Sequence, residues 1–212
     1  MAIKIDGAAT LLGKVRSEIL EEYKKIANFE EVPISVDILR DIIKQRCNLR
    51  SISWQAVVAE TPNILGSVKF RYPVPVSQRT NEEPTTAIVL VREDLNFCWC
   101  RFVICKEMCH CLVDARDDRV SSVSALRDLA QGLASKVTIP GTGNGPLESE
   151  LWAELLAIEL LFPYELRKTH RQALKDGTIT PYTLALRYRI PREYAELGMF
   201  DNVLDLMGKI LG

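Results

Sequence analysis

The spacing of apolar positions predicts helices toward both ends of the chain and short strands between them. Residues 8 to 28 place Ala8, Leu12, Val15, Ile19, Tyr23 and Ile26 at three- and four-residue steps, with Glu21, Glu22, Lys24 and Lys25 largely off that stripe. This is the pattern of an amphipathic helix. After Pro33, Ser35 is placed to cap a second helix reaching about Arg46. A strand is expected over Ser53 to Glu60, around Ala56-Val57-Val58. A second is expected over Ser67 to Tyr72, where Val68, Phe70 and Tyr72 alternate with Ser67, Lys69 and Arg71. Pro73 and Pro75 end it.

Ser77 to Thr86 is a polar loop, and Ala87-Ile-Val-Leu-Val91 is a continuous apolar run that fits a central strand. Asp94 or Asn96 can cap a helix over about 97–115. A further helix is expected over 122–136, then a Gly-rich loop, Gly141-Thr-Gly-Asn-Gly-Pro146, then an apolar helix over 147–162. The loop could cradle an anion at a helix start, but its spacing matches neither phosphate-loop pattern. The tail reads as short helices, with Asp176-Gly177 closing one and Pro191 opening another. No internal repeat or low-complexity segment interrupts this order. The expected fold class is α+β, helix-dominated, with a small β-sheet.

Composition narrows the function classes. The chain has 212 residues, 47% of them hydrophobic, enough for a core of one domain or one domain with a small appendage. We divide it into N-terminal helices packing on the core (1–50), a core (51–163) and a C-terminal helical segment (164–212). With 27 Lys+Arg against 28 Asp+Glu, the net charge of −1 gives no global attraction to nucleic acid or anionic lipid. Residues 164 to 200 hold seven Lys/Arg and four Asp/Glu, a difference of 7 − 4 = +3, too small to argue direct nucleic-acid binding. No stretch approaches the roughly 18 to 20 apolar residues of a membrane span. The N-terminus lacks the pattern of a secretory signal, so the expected location is cytoplasmic and the six cysteines are expected as thiols.

The helix over 97–115 is apolar nearly all round. At 100° per residue Cys98, Cys105 and Cys109 share one side, and Ile104, Met108 and Leu112 cover another. One polar stripe remains, carrying Lys106, Glu107, His110 and Asp114. A helix wrapped in apolar residues is buried, so these groups line a cleft or meet buried partners. The helix over 147–162 repeats the anomaly: Glu150 and Glu154 fall in the middle of its apolar arc, whereas Glu148 and Glu159 lie opposite, where solvent is expected. Two inward carboxylates need a cation, and either a metal or Lys106 could supply it. Cys105 and Cys109 are expected as core thiols, and His170, in a polar stretch, as solvent-exposed.

The run Lys106-Glu107-Met108-Cys109-His110 has the zinc-peptidase spacing H-E-x-x-H with lysine in place of the first histidine. Its surroundings, Arg101-Phe-Val-Ile-Cys-Lys-Glu-Met-Cys-His110 and Glu150-x-x-Ala153-x-x-x-Ala157-x-x-Leu160-Leu161-Phe162-Pro163, resemble two motifs of the ImmA/IrrE family of zinc metallopeptidase-like proteins, in the family's order. The resemblance implies a zincin-like core in which Glu107 holds the general-base position, His110 the second zinc ligand and Glu150 the third. Lys106 stands at the first-ligand position, and Cys109 replaces the glycine that usually precedes the second histidine.

To act as a ligand Lys106 must be neutral, and lowering its pKa from near 10.4 to neutral pH costs about 4 to 5 kcal/mol. The expectation is therefore no metal, with the ammonium seated in the ion's place and paired with Glu150 and Glu107. If zinc is retained, His110 and Glu150 would hold it with Asp114 or Glu154. By resemblance the chain is a divergent member, acting as a regulatory or binding module toward a protein partner such as a helix-turn-helix repressor, in settings of mobile elements or transcription regulation. Two alternatives stay open: an active zinc-dependent endopeptidase with Glu107 as base, and a protein-interaction or toxin-antitoxin-type partner that does not use the cleft.

Overall fold

The computed structural model describes residues 6–58, 64–73, 85–113 and 145–211. Within them lie eight helices and one three-stranded sheet, a mixed α+β arrangement dominated by helix. The expected helix over 122–136, most of the 77–86 loop, Gly141 to Asn144, and Asp114 lie outside the described residues.

Helix α1 (Asp6–Ile26) buries Leu12, Val15, Ile19 and Tyr23, as its stripe predicts. Ile26, assigned to the same stripe, is instead exposed at 62%. It sits at the last residue of the helix. Arg16, a charged residue, is buried as well. Helix α2 (Val36–Arg46) opens on Ser35, whose Oγ accepts from the Ile38 N–H at 3.4 Å. This cap satisfies one of the helix's unpaired donors.

The strands are β1 (Ser51–Val57), β2 (Gly66–Arg71) and β3 (Thr86–Arg92), in the order β1-β3-β2. The apolar run 87–91 thus forms the central strand, parallel to β1 and antiparallel to β2. Its alternation buries Ala87, Val89 and Val91 on the helix-covered face. β1 begins two residues earlier than expected, and its buried residue is Ile52; Ala56 and Val58 are exposed.

Helix α3 (Phe97–Val113) opens on Asn96, whose Oδ1 accepts from the Trp99 N–H at 3.1 Å, whereas Asp94 pairs with Arg92. It packs against α2, β2, β3 and α4 (Gly145–Leu161), and is buried from Phe102 to Ile104 and again at nearly every residue to Cys111. Gly145 and Pro146, assigned to the Gly-rich loop, belong to α4. Arg101 donates to the backbone oxygens of Ile34 (2.9 Å) and Arg189 (3.2 Å), tying the approach to α2 and the C-terminal helices to α3.

The tail folds as α5 (Tyr164–Lys175), α6 (Pro181–Tyr188), α7 (Arg192–Met199) and α8 (Asp201–Leu211). Gly177, at φ +70, follows the end of α5, a left-handed turn residue that glycine adopts without steric cost. Thr180 and Thr183 close a capping box around Pro181, and Pro191 opens α7. One apolar cluster runs from Leu12 through the sheet, α3 and α4 to Leu204.

Candidate functional site

The two inward polar stripes meet. Helix α3 supplies Lys106, Glu107 and His110, helix α4 supplies Ser149, Glu150 and Glu154, and α7 adds Tyr194. The Lys106 Nζ donates to Glu150 Oε2 and lies 3.2 Å from Glu107 Oε1. His110 Nε2 stands 3.1 Å from Glu150 Oε1, and its Nδ1 is 3.2 Å from Ser149 Oγ. A single carboxylate, Glu150, is thus shared between an ammonium and an imidazole.

This arrangement follows from helix geometry. Lys106 and His110 are one turn apart on α3, and Glu150 and Glu154 one turn apart on α4, so two antagonistic stripes face each other where the helices pack. At Gly66 of β2 an added Cβ would stand 2.4 Å from Val103 Cγ1, 3.0 Å from the Leu90 carbonyl oxygen and 3.2 Å from Glu107 Cγ. Glycine there lets the strand backbone press onto the turn that presents Glu107.

The side chains of Lys106 and Glu150 retain 17% and 18% exposure, so water touches the pair, whereas Glu107 and His110 are buried. Burial alone would push the Lys106 ammonium toward its neutral form, but Glu107 and Glu150 override this and hold its pKa well above the usual lysine range. Burial likewise opposes ionisation of Glu150, yet the Lys106 charge and the hydrogen bond from His110 bring its pKa down to about 2.

Glu154 stands apart from this cluster. It accepts a hydrogen bond from Tyr194 Oη at 3.3 Å, and burial raises its pKa despite the opposing effects of Lys106 and Tyr194. Burial and then Glu154 push the Tyr194 hydroxyl well above the usual tyrosine range. The Tyr194 ring stacks on Phe102 at 3.7 Å and meets Trp99 edge-on at 5.7 Å.

Ser149, Tyr194 and Gly66 were not legible as site residues. Ser149 carries no spacing signal beyond its adjacency to Glu150, and Tyr194 arrives from a helix more than forty residues downstream. Cys105 and Cys109 are buried thiols, and burial with the adjacent Cys105 raises the Cys109 pKa well above the ordinary thiol value. His170 is not solvent-exposed. It is half-buried, with Nε2 2.8 Å from Tyr188 Oη, because α6 folds back over its polar stretch.

Glu159 overturns a second expectation of solvent exposure. It is 2% exposed, paired with Arg167 and 3.2 Å from Arg16 Nε. Helix α4 is covered on both faces, by α3 on one and by α1 on the other, so the side opposite Glu150 is interior as well.

A protonated amine supplies no lone pair and repels a cation, and that of Lys106 is held protonated by two carboxylates. Among the described residues no three His, Cys, Asp or Glu side chains converge as metal ligands. No family model matches the chain, and no curated protein or solved structure matches it.

Proposed function

We propose that the chain is a divergent ImmA/IrrE-like metallopeptidase-fold protein whose former metal position is occupied by the Lys106 ammonium, and that it acts as a regulatory or binding module. The observation that carries this reading is the seating of the Lys106 Nζ against Glu150 Oε2 and 3.2 Å from Glu107 Oε1. The ammonium neutralises the carboxylates that a metal would otherwise need to balance, and it ties up the glutamate that would activate water. What remains is a polar cluster between α3 and α4 that keeps partial exposure to solvent. We infer that its function is recognition of a protein partner, with a helix-turn-helix regulator as the class suggested by resemblance.

The test is cross-linking capture with the native chain, Lys106→Ala and Glu150→Ala, each checked for folding by circular dichroism. The reading predicts that both variants lose a partner that the native chain retains. Equal capture by all three assigns recognition to a surface away from the cleft. Metal-dependent peptide cleavage that disappears in Glu107→Gln assigns the protein to the peptidases instead.

A further inference from the structure

Arg16, Arg40, Arg46, Arg92 and Arg171 each pair with a carboxylate. Arg101 and Arg189 do not. Arg101 donates its Nη2 to the Ile34 carbonyl oxygen at 2.9 Å and its Nε to the Arg189 carbonyl oxygen at 3.2 Å, which leaves Nη1 over. Among the described residues no carboxylate lies within ion-pair distance of either guanidinium, and the Arg189 side chain is exposed.

Both cations lean over one ring. Phe97, the first residue of α3, is 59% exposed, with the Arg101 Cζ 5.9 Å and the Arg189 Cζ 5.6 Å from its ring centre. These distances lie within the range of cation–π attraction. Burial lowers the Arg101 pKa and the Arg189 charge lowers it further, so the two cations feel each other. An anion between them would relieve that repulsion.

The backbone adds a second observation. Arg189 ends α6 at φ 51 and ψ 51, in the left-handed region where glycine or asparagine is the ordinary terminator. A long side chain held at such a position points to a use for that side chain. Residues 181–192 contain Arg187, Arg189 and Arg192 and no Asp or Glu, but the exposed Glu193 and Glu196 of α7 follow directly. So confined a basic surface suits an isolated carboxylate better than a run of phosphates. Guanidinium forks match carboxylates, and an exposed aromatic ring beside them is the usual makeup of an interface anchor.

We propose that Phe97, Arg101 and Arg189 form a docking site for an acidic segment of a protein partner, with a carboxylate between the two guanidinium groups and an apolar side chain on the Phe97 ring. The site shares no side chain with the Lys106 cluster, so it stands or falls independently of the reading above.

The test is fluorescence anisotropy of the whole chain with a fluorescein-labelled peptide of Glu and Gly carrying one central Phe. The same peptide with Gln for Glu and a labelled DNA duplex run beside it. The native chain should bind the Glu peptide at least about ten-fold more tightly than the Gln peptide, and added salt should weaken that binding. Arg189→Gly should lower the affinity about ten-fold while its urea midpoint equals or exceeds that of the native chain, because glycine adopts the left-handed conformation freely. Phe97→Ser should weaken binding too, and Lys209→Ala, at an exposed cation of α8, should bind as the native chain does. In the native chain the bound Glu peptide should protect Arg189 from phenylglyoxal, mapped by mass spectrometry, which decides the matter even if a variant does not fold. The proposal is overturned by no binding of the Glu peptide, equal binding of the Gln peptide, native affinity in Arg189→Gly, an unprotected Arg189, or tighter binding of the duplex.

Discussion

Helix α4 carries two ionic centres on opposite faces, and they differ in their cations and in how far water reaches them. Toward α3, Glu150 shares Lys106 with Glu107 and touches His110, and the pair keeps 17% and 18% exposure. Toward α1 and α5, Glu159 meets Arg16 and Arg167, which are 4% and 0% exposed. Arg167 also donates to the Gly198 carbonyl oxygen at 2.5 Å, and Arg16 pairs with Glu165. Guanidinium groups spread their charge over several donors, which suits a sealed joint between four helices. The ammonium is a compact charge, and here it sits between the two carboxylates of Glu107 and Glu150. The arginine centre is sealed from solvent, whereas the lysine centre keeps partial exposure.

The largest effect is expected at the sealed centre. Glu159→Gln leaves Arg16 and Arg167 buried without their shared counter-ion, and should lower stability by roughly 3 to 5 kcal/mol in urea unfolding. A loss under 1 kcal/mol would mean that the two centres do not differ as argued. Lys106→Met should cost less, roughly 2 to 4 kcal/mol at pH 7, because the stranded carboxylates touch water and can take up protons.

That difference can be sharpened with pH. The native-state pKa of Glu150 is depressed from 4.5 to about 2, so its stabilisation is present above about 4.5 and is lost as pH falls toward 2. The shift corresponds to about 3 kcal/mol at most. The penalty of Lys106→Met should therefore shrink across that window, since protonated carboxylates need no cation. A penalty that stays constant from pH 7 to pH 3 would show that Lys106 contributes packing rather than charge.

Smaller effects test the supports. Gly66→Ala forces a methyl group against Val103 and the Leu90 carbonyl oxygen and should destabilise by about 1 to 3 kcal/mol. Tyr188→Phe removes the hydroxyl bonded to His170 while keeping the ring tilted against Phe162 at 4.3 Å, and should cost about 0.5 to 1.5 kcal/mol by thermal or urea unfolding.

The comparison also shows what a sequence discloses. The lysine centre was legible because Lys106, His110, Glu150 and Glu154 sit at one-turn spacings inside apolar arcs, where a charge is anomalous. The arginine centre was not. Glu159 lies opposite Glu150 on the helical wheel, where an exposed carboxylate is the ordinary expectation, and its partners come from 143 residues upstream and from beyond the Pro163 break. Periodicity reports one buried face well and fails on a helix covered on both. Ile26 failed for a related reason, since a stripe predicts direction but not where the covering core ends. The central position of 87–91 was legible from its unbroken apolar run, whereas the ends of β1 were set by pairing with β3.

The most direct test of the central claim is the zinc content of native chain purified without chelators, measured by plasma mass spectrometry beside His110→Ala. With the ammonium in the cation's place, zinc should fall far below one atom per chain and should not depend on His110. Near-stoichiometric zinc that vanishes in His110→Ala would contradict it.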